Sequence, residues 1–230
     1  MQGADIYAVL QMIGATHLHH ANSVETSCTF LEQGGLLSRG YVEDHGLKQT
    51  PQSSDALDKK YGIWDRIFVD HVDIHDRAGR KKGPNQYGPV LFVLNLEILL
   101  HLPMGTDVTA TRINPIHWLG TKLDSERWFQ SAEELAKNIG FGDFDKMLMI
   151  RTPAETLQFP QRHALVIIDN PDRKLSSGED AYAHAVARLK GAAAKGNVQL
   201  AIQPRICAGS CVCVQKYGKY NRSNFDLYFA

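Results

Sequence analysis

Apolar and polar positions alternate along this chain in short stretches, never in one long periodic run. Near the start, an apolar segment runs from Ile6 to Ile13. Asn22 or Ser23 then offers an N-cap for a helix through Phe30 and Leu31, and Gly34-Gly35 supplies its stop signal. Leu36 to Gly40 re-enters the structure. Val42 to Asp58 is polar and carries Gly46 and Pro51, which predicts a loop with a short helix at its end. Ile67–Val69, Val72–Ile74 and Val90–Val93 are β-rich runs, the last two separated by the hydrophilic Arg77–Gln86 segment. A further strand is predicted over Val108–Ile113 and a helix over Ser125–Ile139, where the apolar spacing is helical. Lys146–Ile150 and Ala164–Ile168 read as strands flanking Arg151–Arg162. Glu179–Ala194 reads as an amphipathic helix with a stripe at Ala183, Val186, Ala187 and Leu189. Val198–Ile202 and Cys211–Val214 read as closing strands. Short strands with scattered helices, without regular β-α alternation, predict an α+β fold around a mixed or antiparallel sheet. No glycine-rich loop follows a strand, so a Rossmann or P-loop site is not supported.

A length of 230 residues suits a single domain over 1–230 with a substantial core. Lys and Arg number 25, as do Asp and Glu, so no bulk positive field drives nucleic-acid binding. Any such contact must be local. Two basic groups qualify: Arg77, Arg80, Lys81 and Lys82, and then Lys216, Lys219 and Arg222, interleaved with Tyr217, Tyr220 and Phe225. Charge beside aromatics can grip a single strand through phosphates and stacked bases. The cysteines are Cys28, Cys207, Cys211 and Cys213; they form no disulfide framework and lack the second pair that tetrahedral zinc needs, so no metal is expected. The first apolar run follows Asp5, has no basic segment before it and is too short for a bilayer, which predicts a soluble, cytoplasmic chain without membrane contact.

Three segments carry candidate chemistry. In Leu18-His19-His20-Ala21-Asn22-Ser23-Val24, an imidazole able to bond a ribose hydroxyl stands beside small residues that let a flat ring approach. A register shift of one residue exchanges His19 for His20. In Asp58 to Phe68, Tyr61 beside Gly62 suits stacking on a flat cationic ring, with Trp64 and Tyr87 as alternatives. In Arg151-Thr152-Pro153-Ala154-Glu155-Thr156-Leu157, an acidic residue lies between two strands, in a stretch that its prolines keep from becoming helical.

These segments, in this order, resemble the ADP-ribosyltransferases. His20 and Asn22 match the histidine and threonine positions of their Leu-Tyr-His-Gly-Thr-Ser opening. The order His, Tyr, late Glu resembles the histidine-tyrosine-glutamate branch. Leu18–Gly40 and the Arg, Ala-Glu, Leu pattern around Glu155 resemble the DarT-like and CmdT-like nucleic-acid ADP-ribosyltransferase toxins, over about two thirds of the chain. An equivalent of their Arg-Ser-Pro-Met segment is missing beside Val90–Asn95. The resemblance implies a split mixed β-sheet core with flanking helices and NAD+ as substrate. His20 and Asn22 would bind a ribose, Tyr61 would pack on nicotinamide, and Arg39 or Arg151 would hold the pyrophosphate. Glu155 would be catalytic, stabilising the charge that develops as nicotinamide leaves. It further implies RNA or single-stranded DNA as acceptor, a role as the toxin of a phage-defence toxin-antitoxin system, a protein antitoxin and a chaperone.

Two other readings compete. Alternation in an extended Asp70–Asp76 would place His71, Asp73 and His75 on one face, as a divalent-metal site of a nuclease or phosphoesterase. Alternatively, an exposed aromatic C-terminus, Tyr217–Phe229, would add a strand to a partner or bind single-stranded nucleic acid without catalysis.

Overall fold

The computed structural model describes residues 1–73, 87–120, 123–143, 146–205 and 212–230. In chain order its elements are α1 (Gly3–Met12), β1 (His17–Asn22), α2 (Val24–Gln33), β2 (Gly35–Leu37), α3 (Arg39–Asp44), α4 (Asp55–Lys60), β3 (Ile67–Val69), β4 (Val90–Asn95), β5 (Asp107–Ala110), α5 (Asp124–Arg127), α6 (Ala132–Ala136), β6 (Leu148–Arg151), β7 (Thr156–Gln158), β8 (His163–Asp169), α7 (Ala181–Lys195), β9 (Gln199–Arg205), α8 (Val212–Lys219) and α9 (Arg222–Phe229). Helices and strands mix without regular alternation, which makes the class α+β.

Three sheets organise the chain. The largest runs β1-β4-β8-β9. Its first two pairings are antiparallel, and β8 and β9 are parallel, joined through α7 as a parallel pair requires. A second sheet, β3-β6-β5, is antiparallel throughout, and β2 pairs with β7. One continuous apolar cluster lies among these elements. Phe30 of α2 meets Phe92 of β4 with ring centroids 6.0 Å apart, and Phe92 stacks on Phe159 at 5.5 Å.

The β1–α2–β2 unit forms as its residues dictate. The Ser23 side chain accepts from the Thr26 N–H at the helix start, and Gly34 ends the helix in the left-handed conformation at φ 78°. Gly88 is the second glycine that the fold requires. It sits at φ 140°, and a Cβ there would stand 2.3 Å from the Asn22 carbonyl carbon and oxygen. Gly88→Ala is therefore expected to destabilise the fold by about 2–4 kcal/mol in urea denaturation and to displace Asn22.

Several elements depart from the sequence expectation. Ser125–Ile139 is broken into α5 and α6, because Trp128 bridges to Thr111 and the Phe129 N–H donates to the Ala110 carbonyl, drawing the chain onto the β5 edge. The buried stripe of α7 is Ala181, Ala185, Leu189 and Ala192; Ala183 and Ala187 are exposed. Alanines on every face of this helix leave its phase unmarked. Val72 lies in a bend, and Ile74 falls outside the described residues. The expected strand Cys211–Val214 is the start of a helix from Val212 onward, with Cys211 outside the described residues. The C-terminus is a helix pair, α8 and α9, not an exposed aromatic strand. Tyr217, Phe225 and Phe229 are buried, their rings 4.7–6.4 Å apart. No helix among the described residues is long and apolar enough to cross a membrane.

Candidate functional site

A cavity of about 400 Å³ opens beside the end of β1. Its wall includes His20, Ala21 and Asn22 of β1, Arg39 of α3, residues 50–54 with Leu57 and Asp58, residues 66–68 with Asp70, Tyr87, residues 114–116, and Tyr220, Asn224, Leu227 and Tyr228 of the C-terminal helices. The 50–58 segment is sewn to the start of α2. Ser23 Oγ and Thr50 Oγ1 lie 2.6 Å apart, the Thr50 N–H donates to Thr26 Oγ1 at 2.9 Å, and Gln52 Nε2 donates to Asn22 Oδ1 at 3.4 Å.

Hydrogen-bond direction fixes the state of His20. The Ser23 N–H donates to Asn22 Oδ1 at 3.0 Å, which turns the Asn22 amide nitrogen toward His20 Nε2, 3.4 Å away. His20 Nδ1 lies 2.6 Å from the Phe68 carbonyl, which can only accept, so Nδ1 carries the proton. Burial pushes the imidazole down to about 4. Nε2 is therefore a lone-pair acceptor at neutral pH, and the Asn22 amide N–H is the donor that meets it. His19 points elsewhere. Its backbone pairs with Asp70, its ring lies 6.5 Å from that of His17, and burial lowers its pKa against the attraction of Asp73.

Arg39 contributes positive charge to the wall. Its Nη2 donates to the Thr50 carbonyl at 3.1 Å and to Asp55 Oδ2 at 2.8 Å, and its guanidinium carbon lies 5.3 Å from the Trp64 ring centre. Its Nε and Nη1 are buried with no protein partner. Two unused donors on one fixed guanidinium suit a phosphate or carboxylate.

Glu155 lies one residue further along the same strand pair. β2 and β7 pair through Leu37 and Thr156, and the ladder continues with the Ser38 N–H donating to the Glu155 carbonyl at 3.0 Å. Ser38 Oγ donates to Glu155 Oε2 at 2.6 Å. Arg39 follows Ser38 in sequence, but neither Ser38 nor Glu155 lines the cavity. Glu155 adopts φ 51°, a conformation that costs a non-glycine residue about 1 kcal/mol and is found disproportionately at functional sites.

Other expected residues fall elsewhere. Tyr61 does not line the cavity. Its ring meets Trp118 edge-on at 5.4 Å, with Arg127 5.1 Å from its centre, because the ring is needed to close the satellite cluster of Ile63, Trp118 and Met149. Of its alternatives, Tyr87 lines the cavity, while Trp64 stands beside Arg39 and donates to Glu43 at 2.8 Å. Arg151 is largely exposed and pairs with Asp65 at 2.6 Å, leaving Arg39 as the arginine at the cavity. Asp70 to Asp73 is not an extended strand. His71 Nε2 donates to the Gly140 carbonyl at 3.2 Å, and Asp73 pairs with Arg205 at 2.7 Å; His75 lies outside the described residues. Among the described residues no three His, Cys, Asp or Glu side chains are grouped to hold a metal.

The cavity also holds groups with no sequence signal. Burial pushes the Asp70 carboxyl up to about 8, and its Oδ1 has no partner. Burial likewise lifts Asp58 to about 6, against a hydrogen bond from Ser54, and Tyr87 to about 12. At neutral pH, Asp70 is thus mostly a hydrogen-bond donor and His20 an acceptor, both uncharged. Comparison with models of known protein families and with curated proteins finds no match.

Proposed function

We propose that this chain transfers ADP-ribose from NAD+ to nucleic acid, in an ADP-ribosyltransferase-like fold similar to the DarT-like and CmdT-like toxins. The observation that carries this reading is the convergence of His20, Asn22 and Arg39 on one cavity, with Glu155 held by the residue next to Arg39. These are four of the six residues that the sequence resemblance names, and they come from three separate stretches of chain.

The groups present fit the dinucleotide. The orphaned Nε and Nη1 of Arg39 supply two donors for the pyrophosphate. The Asn22 amide, which gives one N–H to His20 Nε2, keeps a second to offer a ribose hydroxyl. The Tyr87 ring lies in the wall, where a flat cationic ring can be packed. When bound, NAD+ supplies a good leaving group: the bond between nicotinamide and ribose breaks, nicotinamide keeps the electron pair, and the same carbon bonds to the acceptor. For this chemistry the Glu155 carboxylate, which Ser38 holds outside the cavity lining, must turn toward that carbon, where it would stabilise the developing positive charge and take the proton which the acceptor releases. A toxin of this kind requires a neutralising protein, so an antitoxin, and with it a chaperone, belong to the same proposal.

The test is transfer of labelled ADP-ribose from NAD+ to single-stranded DNA, RNA and cell-lysate protein. Label on nucleic acid is expected. Label confined to protein would overturn the acceptor class, and NAD+ left intact in every arm would overturn the transferase reading.

A further inference from the structure

The C-terminal helices contribute a face to this cavity that ribose and pyrophosphate contacts do not use. α8 and α9 are fixed by polar anchors at the end of the large sheet. Tyr217 OH donates to Asp169 Oδ2 at 2.7 Å, and Arg205 holds that same carboxylate at 2.8 Å. Arg173 Nη1 donates to the Tyr217 and Tyr220 carbonyls at 2.5 and 2.9 Å, covering the end of α8. Phe225 and Phe229 are fully buried beneath. These contacts tie the pair to the end of the large sheet.

What this anchoring leaves at the cavity is specific. Tyr220 and Tyr228 are stacked with centroids 5.8 Å apart and an interplanar angle of 25°, and both are half-buried. Asn224 stands on the same wall with an exposed side chain. Lys219 and Arg222, on the same turn of chain, are exposed. A stacked aromatic pair gives a π-face, an amide reads the donor and acceptor edge of a base, and two cations meet a phosphate backbone. The chain carries no net charge, so this local grouping stands out against the rest.

We propose that the Tyr220, Asn224 and Tyr228 face is the platform on which the unpaired acceptor base is stacked, with Lys219 and Arg222 meeting the flanking phosphates. The proposal rests on the transferase reading and supplies its acceptor side: one cavity then receives the dinucleotide along β1 and α3 and the base along α8 and α9. Burial raises the pKa of both tyrosine hydroxyls, so they remain uncharged and do not repel the strand. A duplex buries its bases in the stack and cannot use this face.

The experiment measures anisotropy of a labelled 20-residue oligonucleotide, as single-stranded DNA, as RNA of the same sequence and as duplex, with the full chain in its Glu155→Gln form to prevent turnover. Tighter binding of a single strand than of the duplex is expected, and whichever strand is preferred identifies the acceptor. Tyr220→Ala and Tyr228→Ala should each weaken that binding about tenfold. Tyr228→Phe should retain it, and Arg222→Glu should reduce both the affinity and its salt dependence. Asn224→Ala, at an exposed position, gives a loss that cannot be blamed on unfolding. Equal binding of duplex and single strand, or unchanged affinity in the two alanine variants, overturns the platform. If NAD+ is never consumed but tyrosine-dependent binding persists, the transferase reading fails and the platform stands.

Discussion

Glu155→Gln is expected to lower the rate of ADP-ribose transfer by at least about 100-fold while leaving the melting temperature within about 2 °C of the parent. The two halves of this expectation have separate origins. Glutamine keeps the length of the side chain and an oxygen that accepts from Ser38 Oγ, so the link across β2 and β7 survives. The backbone at φ 51° is no more strained with glutamine than with glutamate. What disappears is the carboxylate's negative charge, which the proposed chemistry uses to stabilise a cationic centre. Arg39 itself is held by Asp55 and the Thr50 carbonyl, so the variant does not release it. Single-turnover label transfer at saturating NAD+ measures the effect. Activity within threefold of the parent would remove Glu155 from the chemistry, whatever else the cavity binds.

Helix α2 was legible because its signals are local, a serine cap and a glycine stop, whereas the strands β1 and β2 on either side of it were not read. The choice between His19 and His20 could not be read in this local way. It depends on the Phe68 carbonyl, 48 residues away, and no local pattern announces that pairing. Tyr61 misleads for a similar reason. A tyrosine before a glycine looks the same whether its ring faces a cavity or Trp118, and only the distant tryptophan decides. Val212-Cys213-Val214 has the composition of a strand, yet Tyr217, Phe225 and Phe229 bury as one cluster only if the chain coils into two helices. Tertiary packing outweighs β propensity there. Asp58 and Asp70 are unremarkable carboxylates in sequence, and their unusual state comes from burial that only the assembled cavity imposes.

Asp70→Asn is expected to stabilise the protein, and to do so more as pH rises. In the unfolded chain an aspartate releases its proton near 3.8, whereas burial holds the folded Asp70 protonated up to about 8. Below about pH 4 both states are protonated and Asp70 imposes no penalty. Between the two values the folded state binds the additional proton, so raising the pH favours unfolding, by at most about 1.4 kcal/mol per pH unit. Above about 8 the folded protein carries an ionised carboxylate with an unpartnered oxygen, and the penalty is complete. Asparagine removes the titration and keeps the shape. Its advantage should grow by at least about 2 kcal/mol between pH 5 and pH 8.5 in urea denaturation, or about 4–8 °C in melting temperature. Asp58, raised to about 6, and His20, lowered to about 4, titrate in parent and variant alike and cancel in the difference. Tyr87, the neighbour whose charge would couple to Asp70, titrates far above this window. An advantage that does not change between pH 5 and pH 8.5 would mean that folded Asp70 is ionised over that whole range, as it is in the unfolded chain. Its carboxyl would then not be a neutral donor in the site. The expected slope instead identifies a buried acid kept in the cavity at a cost in stability, as is common where a group serves binding more than folding.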